Sequence, residues 1–153
     1  MVMHKYSTEE LAAQPIGYWS GVVYRAVTDR IRASLGEEQL TQPHWWTLNH
    51  VSGAPGTWDR GRLAEKLLPY ADADVDFGPV FDDLISRAWL TEASDGALTL
   101  SEAGEAGLVR ARDRNALSHA LIHDGIAPEQ YAACVNVLRR MVANLGGDGN
   151  LPR

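Results

Sequence analysis

Residues 72–104 have the sequence DADVDFGPVFDDLISRAWLTEASDGALTLSEAG, and the order of signals within them sets the architecture expected of the chain. Apolar residues recur at three- and four-residue spacing in the first half, which predicts an amphipathic helix beginning near Asp76. These residues are Phe77, Val80, Phe81, Leu84 and Ile85. A Ser-Asp-Gly turn at residues 94–96 lies between two short apolar segments and predicts a hairpin, and Ser101 caps a further helix.

A helix that leads into a short strand pair and then into a longer helix is typical of the second half of a winged helix-turn-helix. This segment is acidic, however. Between residues 71 and 100, seven acidic residues accompany a single basic residue, Arg87. The other thirteen acidic and thirteen basic residues cancel, so the formal charge of −6 lies in this segment. Any contact with a nucleic acid must therefore come from local basic positions.

The composition indicates one globular domain. A chain of 153 residues is long enough to bury a sizeable core, and 45% apolar and 22% charged residues are typical of globular proteins. No apolar run approaches the ~20 residues needed to cross a bilayer. Residues 1–10 lack the apolar core of a signal peptide, and a single cysteine, Cys134, cannot form an internal disulfide. These features predict a cytoplasmic protein without membrane contact.

Three helices are predicted before residue 72. Helical spacing of apolar residues extends from Ile16 to about Leu35 on a surface broad enough to pack against more than one element. Thr41 starts the second helix, which lasts until the Gly-Ala-Pro-Gly break at residues 53–56. Asp59 is the predicted N-cap of the third, which ends near Leu68. Its exposed side carries the best basic patch of the sequence, formed by Arg60, Arg62 and Lys66.

Two further helices are predicted after the hairpin, at residues 101–123 and from Pro128 to about Leu145. The apolar stripe of the last helix is too long for a small winged-helix core to bury. Surplus apolar surface at both ends of one chain predicts a two-fold symmetric dimer, in which the same patch meets itself.

Four segments resemble the MarR family of bacterial transcriptional regulators. LTQPHWWTL at residues 40–48 is similar to the family's helix opening of Leu-Thr, proline, a polar residue and Trp. LAEKL at residues 63–67 resembles its LAExL helix, and LISRAWL at residues 84–90 resembles the LxxRGLV end of its recognition helix. LTLSEAG at residues 98–104 resembles its LTLTxxG step from strand to helix. Their order and spacing cover most of the chain.

The resemblance implies a mainly α fold with a small β-hairpin wing, in a single domain spanning residues 1–153. The winged helix-turn-helix is expected at about residues 40–101, flanked by dimerisation helices at about residues 7–36 and 102–147. It also implies a homodimeric transcriptional regulator that binds pseudo-palindromic double-stranded DNA. A small ligand is expected in a cleft between the winged helix and the dimerisation helices.

By this resemblance, the helix at residues 76–88 enters the major groove. The predicted DNA-contacting residues are Arg60, Arg62, Lys66, Asp76, Gly78, Asp82, Asp83 and Arg87. Recognition helices of the family usually present Ser, Thr and Arg where this chain is acidic, and the predicted wing, residues 91–99, holds no basic residue. An alternative hypothesis is therefore a MarR-like ligand-binding or protein-interaction module that has lost strong DNA binding.

Aromatic residues at helical spacing predict a pocket for a planar aromatic ligand, with plain core packing as the alternative. The predicted pocket residues are Trp19, Tyr24, His44, Trp45 and Trp46. His119 and His123 have the four-residue spacing of a metal pair, but two ligands do not complete a tetrahedral site, so no metal is predicted. The sequence holds no nucleophile-base pair, phosphate loop or cofactor fingerprint, which predicts a protein that is not an enzyme and has no cofactor.

Overall fold

The structure is a computed structural model that describes residues 2–71 and 73–152; Asp72, one of the acidic residues counted above, lies outside the described residues. In chain order the elements are α1 (Thr8–Ala12), α2 (Ile16–Gly36), α3 (Gln42–Gly53), α4 (Arg60–Leu67), a 3-10 turn (Leu68–Tyr70), α5 (Gly78–Ser86), β1 (Leu90–Glu92), β2 (Leu98–Leu100), α6 (Glu102–Ile122) and α7 (Pro128–Asn144). The strands form one antiparallel hairpin. The predicted fold class, mainly α with a small wing, is confirmed.

The core lies where α3, α4, α5, the hairpin and the first part of α6 meet. Each element contributes the apolar side of its own pattern, as amphipathic spacing requires. The large side chains buried there include Leu48 and Val51 of α3, Leu63 and Leu67 of α4, Phe81 and Leu84 of α5, Leu90 and Leu98 of the hairpin, and Leu108 of α6. Burying one such side chain stabilises the fold by roughly 1.5–3 kcal/mol, so this cluster holds α4, α5 and the hairpin in fixed relative positions.

The hairpin is attached to the helices by backbone hydrogen bonds as well as by its buried leucines. Leu90 pairs with Leu100, and Glu92 pairs with Leu98. On the other side of β2, the amide of Leu98 donates to the carbonyl of Trp58 at 2.8 Å, and its carbonyl accepts from Gly56 at 2.9 Å. The segment before α4 therefore pairs with β2, which places the hairpin beside α4 and α5.

The helix predicted to begin near Asp76 begins two residues later, at Gly78. The carboxylate of Asp76 accepts a hydrogen bond from the amide of Gly78 at 2.9 Å, so this residue precedes the helix and does not form part of it. The helix ends at Ser86, and the chain then turns through Ala88, whose φ of 58° is left-handed. This turn directs the chain from α5 into β1.

The beginning of α6 approaches Trp89 very closely. A Cβ atom placed on Gly104 would overlap the carbonyl group of Trp89, and one placed on Gly107 would overlap its indole ring. The amide of Ser101 donates to the same carbonyl at 3.0 Å, and its side chain caps the helix by accepting from Gly104 at 3.0 Å. Two positions without side chains therefore allow α6 to lie against the turn between α5 and β1.

The terminal helices leave much of their apolar surface uncovered. α2 and α6 pack against each other, but α7 contains no buried residue. Exposed apolar side chains include Trp19, Val23 and Tyr24 on α2, and Val135, Met141 and Val142 on α7. Within residues 2–71 and 73–152, no helix combines the length and the apolar character needed to cross a bilayer.

Candidate nucleic-acid interface

The side of α5 that points away from the core is exposed, and none of its residues is a cation. The buried residues of this helix are Val80, Phe81 and Leu84. Its exposed residues are Pro79, Asp82 and Ser86, which lie together on the opposite side because they are spaced by three and four residues. The hydroxyl of Ser86 donates to the carbonyl of Asp83 at 2.8 Å. A ligand in front of α5 would therefore meet mainly the carboxylate of Asp82.

Arg60 joins three elements around that carboxylate. Its Nη1 donates to Oδ1 of Asp82 at 2.8 Å, and its Nε donates to Oε2 of Glu92 at 2.7 Å. The guanidinium carbon also lies 5.9 Å from the centre of the Phe81 ring. The hydrogen bonds to Asp82 and Glu92 raise the pKa of Arg60 further above its ordinary value. α4, α5 and β1 are thus linked by one cation whose charge is already balanced by carboxylates of the same chain.

Asp83, the next residue, has different partners because adjacent helical residues point about a hundred degrees apart. Its Oδ2 lies 2.9 Å from Nε2 of His44 and 2.8 Å from Nη2 of Arg87. Arg87 in turn donates to the carbonyls of Glu38 and Gln39, at 3.2 and 2.7 Å. Asp83 and Arg87 therefore fasten the end of α5 to α3 and to the connection between α2 and α3.

His44 is buried at this junction, with 8% of its surface exposed. Its Nδ1 accepts from the amide of Thr41 at 3.2 Å, and a backbone amide can only donate. The neutral ring therefore carries its hydrogen on Nε2 and donates to Asp83. Burial lowers the pKa of His44 below its ordinary value of 6.5, and the charge of Arg87 adds to this effect, although the hydrogen bond and charge of Asp83 oppose it.

Glu38 connects the same junction to α6. Its carboxylate accepts from Nε of Arg110 at 3.0 Å and from Nε of Arg114 at 3.2 Å. Burial alone would raise the pKa of Glu38, but the hydrogen bonds and charges of the two arginines outweigh it, so the pKa lies below its ordinary value. Because the carbonyl of Glu38 accepts from Arg87, a continuous set of polar contacts runs from α6 to the end of α5.

Among the described residues, two cations of α4, Arg62 and Lys66, keep an uncompensated charge, and neither lines the groove between α4 and α5. Arg62 donates to the carbonyl of Thr57 at 3.1 Å and its guanidinium lies 5.8 Å from the centre of the Trp58 ring, but neither group carries a charge. Among the residues that the structure describes, neither Arg62 nor Lys66 forms an ion pair. The tip of the wing adds one acid, Asp95, whose carboxylate accepts from the amide of Ala97 at 3.0 Å.

The structure brings the eight predicted DNA-contacting residues to α4, α5 and the chain next to α5, but it gives them different partners. Arg62 and Lys66 lie on α4 and form no ion pair among the described residues. Those bonded to other groups of the chain are Arg60 with Asp82, Asp83 with Arg87, and Asp76 with Gly78. Their contact with DNA stays a prediction.

The five predicted pocket residues are dispersed. The indole of Trp19 is exposed and donates to Gln14 at 2.7 Å. Trp45 and Trp46 are half-buried against the core, and the Trp46 ring centre lies 6.3 Å from that of Tyr70. Tyr24 lines a cleft of about 380 Å³ between α2, α6 and the start of α7, and none of the other four predicted residues lines that cleft.

This cleft contains the histidine pair that the sequence offered as a metal candidate. The rings of His119 and His123 stack with centres 3.9 Å apart, and the ring of Tyr131 lies 4.4 Å from that of His123. A second cavity of about 530 Å³, lined mainly by apolar side chains and also by Arg30, Gln130 and Cys134, adjoins it at Tyr131. Among the described residues there is no group of three or more side chains that could hold a metal ion. The four-residue histidine spacing was therefore the sequence signal for an aromatic wall, which sequence reasoning missed.

No protein-family model matches the chain, and no curated protein matches it. Solved structures do match. The chain is similar to the transcriptional repressor CouR bound to p-coumaroyl-CoA, with 20% identity and a TM-score of 0.66 over 90% of this chain and 98% of that chain. The Mycobacterium tuberculosis MarR family protein Rv2887 in complex with DNA matches with 24% identity and a TM-score of 0.62 over 88% and 99%.

Rv2887 in complex with p-aminosalicylic acid matches with 22% identity and a TM-score of 0.60, over 88% of this chain and 100% of that chain. At these identities the likeness concerns the fold. The chain has the winged-helix fold of MarR-type regulators, and it covers nearly the full length of the structures that it matches.

Proposed function

We propose that the chain is a homodimeric, DNA-binding transcriptional regulator of the MarR type that responds to a small-molecule ligand. The observation that supports this function is the uncovered outward side of α5, flanked by the hairpin, in a fold shared with Rv2887 bound to DNA. In helix-turn-helix proteins the second helix of the motif enters the major groove. Here α5 takes that place, Arg62 and Lys66 contact phosphates beside it, and the hairpin approaches the neighbouring minor groove.

The dimer is supported by the apolar side chains that α2 and α7 leave uncovered. Monomeric proteins rarely expose so much contiguous apolar surface, and a two-fold axis allows the same surface of two copies to cover itself. Two copies of α5 about 34 Å apart match one turn of DNA, so the operator is pseudo-palindromic.

The ligand response is supported by the cleft between α2, α6 and α7. Its volume of about 380 Å³ lies within the range of small-molecule sites, and Tyr24, His119, His123 and Tyr131 offer aromatic walls. The matched structures include CouR bound to p-coumaroyl-CoA and Rv2887 in complex with p-aminosalicylic acid. An aromatic carboxylic acid or its thioester is the class of ligand that we propose for this chain.

A physical connection between the cleft and α5 also supports the response. The cleft lies along α6, and the contacts of Arg110 and Arg114 with Glu38, and of Glu38 with Arg87, link that helix to the end of α5. A ligand that binds one arrangement of α6 more tightly shifts the population toward it. The changed separation of the two α5 helices then releases the operator.

The experiment measures binding of the purified full chain to DNA from its own upstream region, by fluorescence anisotropy at several salt concentrations. Among the described residues, the cations of α4 that form no ion pair are Arg62 and Lys66. With so few cations to contact phosphates, the fall of affinity with salt should be shallower than for a protein with about six to ten phosphate contacts. Arg62→Ala combined with Lys66→Ala should weaken binding to all sequences. Arg140→Ala, on the exposed side of α7, is the matched control and should not.

Absence of DNA binding even at low salt would reject the proposed function, and so would wild-type affinity in the double variant together with an unchanged salt dependence. The ligand response is tested in the same assay. Aromatic carboxylic acids should release the DNA from the wild type and release it less readily from His123→Ala, which removes one aromatic wall of the cleft.

A further inference from the structure

The outward side of α5 offers hydrogen-bond acceptors and no free donor. The hydroxyl hydrogen of Ser86 is used by the carbonyl of Asp83, and Pro79 has no polar side chain. Arg87, the nearest cation in sequence, is turned back toward Glu38 and Gln39. The remaining polar group on this side is the carboxylate of Asp82, whose side chain is 68% exposed.

Arg60 gives this carboxylate a fixed position. It binds Oδ1 at 2.8 Å and is itself held by Glu92 and by the face of the Phe81 ring. Oδ2 of Asp82 has no hydrogen-bond partner among the described residues. The guanidinium also offsets the negative charge next to the place where phosphates would lie, which lowers the electrostatic cost of presenting an acid to DNA.

The four bases differ in whether their major-groove edges can donate a hydrogen bond to a carboxylate, which can only accept one. In the major groove guanine presents two acceptors, N7 and O6, and thymine presents the acceptor O4, so both repel a carboxylate. Adenine offers the amino group N6, but its acceptor N7 lies directly beside it. Cytosine offers the amino group N4 and carries no acceptor of its own in the groove, where the nearest acceptor is O6 of the paired guanine. A carboxylate therefore discriminates in favour of cytosine.

We infer that Asp82 determines base specificity at one position of each half-site, where it selects a C·G pair with the cytosine toward α5. The inference rests on the proposed DNA-binding function and adds the chemistry of recognition to it. Since the dimer is two-fold symmetric, the selected cytosine occurs once in each half of the operator.

The experiment is selection of binding sites by the full-length protein from a randomised pool of double-stranded DNA, followed by sequencing. The wild type should enrich cytosine at one symmetric position, and replacing that C·G pair by T·A should lower affinity roughly tenfold or more. Asp82→Asn should move the preference at that position to adenine, because an amide offers both a donor for N7 and an acceptor for N6. Asp82→Ala should leave the position without preference while the rest of the selected site persists.

Asp113→Asn is the matched control, because it makes the same chemical change at an exposed position on α6. It should give the wild-type site. If the wild-type site lacks a symmetric cytosine, or if Asp82→Asn selects an unchanged site, Asp82 does not determine specificity, although the regulator function stands. If no sequence is enriched and no DNA is bound at low salt, the proposed function fails and this inference with it. A loss of folding in Asp82→Asn, detected by circular dichroism, is separated from a loss of specificity by Asp82→Ala and by the base preference itself.

Discussion

At the scale of single residues, the two adjacent acids of α5 each have a cationic partner, which reduces the net negative charge of this helix. Asp82 is balanced by Arg60, and Asp83 is balanced by Arg87 and bonded to His44. The excess of acids counted along the sequence therefore overstates the charge that α5 presents to its surroundings. The same pairing removes Arg60 and Arg87 from the cations that are free to contact phosphates.

His44 leads to a prediction about pH. Its pKa is lowered in the folded protein, so folding favours the neutral ring, and the unfolded chain takes up a proton at higher pH than the folded one. The stability that His44 contributes is therefore complete above about pH 6.5 and decreases as the pH falls below that value. Thermal unfolding followed from about pH 7.5 to 5.5 should show a decline in Tm that is smaller in His44→Gln than in the wild type.

The comparison of slopes is informative because His44→Gln loses the bond to Asp83 at every pH and so has a lower baseline. His4→Gln removes a histidine from the exposed N-terminal segment and should keep the wild-type slope. Equal slopes in the wild type and in His44→Gln would show that protonation of this ring does not oppose folding.

At the scale of elements, the helices and the hairpin could be predicted because their signals are local. Asp59 and Ser101 cap the helices that they were expected to cap, each by accepting a backbone hydrogen bond from a residue three positions later. The start of α5 was predicted two residues early. The apolar spacing begins at Phe77, which suggested an earlier start. In the structure the carboxylate of Asp76 accepts from the amide of Gly78, so Asp76 forms a turn before the helix instead of its first residue.

The contacts that define the candidate interface could not be predicted in the same way. Arg60 and Asp82 are 22 residues apart, and His44 and Asp83 are 39 apart, so their pairing depends on how α3, α4 and α5 pack. No periodic pattern in one element encodes it. The expectation of a single pocket failed for a similar reason. Regular spacing along a helix does not show which side chains of different helices meet. Tyr24 lines the cleft between α2, α6 and α7, whereas the Trp46 ring lies near that of Tyr70.

The close packing of α6 leads to a prediction about stability. Gly104→Ala should lower the free energy of unfolding by about 1–3 kcal/mol, because the added methyl group overlaps a backbone carbonyl that cannot move without shifting the turn at Trp89. This cost exceeds the gain of up to ~1 kcal/mol that alanine brings to a helix. Urea unfolding measures the difference.

Gly17→Ala is the matched control for that measurement, because nothing lies within 4 Å of a Cβ atom at Gly17 in α2. It should leave the free energy of unfolding unchanged or raise it. A Gly104→Ala variant as stable as the wild type would mean that α6 can lie further from Trp89 without loss.

At the scale of the whole molecule, the winged-helix core is closely packed, whereas the terminal helices leave apolar surface exposed. The core beneath α5 is fully packed, with Leu48, Leu63 and Leu84 inaccessible to solvent. The helices α2 and α7 have no comparable cover in a single chain. Folding of one copy therefore completes the half that contains α5, whereas α2 and α7 would be covered only in the proposed dimer. In that dimer, a ligand bound between the less tightly packed helices could change the distance between two rigid α5 helices.

The last prediction tests this division through α7. Met141 lies on the apolar stripe of that helix, and Met141→Glu places a carboxylate in the surface that two copies are proposed to share. Because a two-fold interface contains each residue twice, one substitution buries two like charges, and the dimer should weaken by at least about tenfold. Sedimentation should then shift from a particle near twice 16.8 kDa toward the single chain, while circular dichroism stays that of the folded protein because the core is untouched. Arg140→Glu changes the adjacent residue, which points about a hundred degrees away from Met141 around α7, and should keep the dimer. If Met141→Glu sediments as the wild type does, or if the wild type is itself a monomer, the uncovered side of α7 does not hold the two copies together, and the two α5 helices must be brought to one operator by another surface.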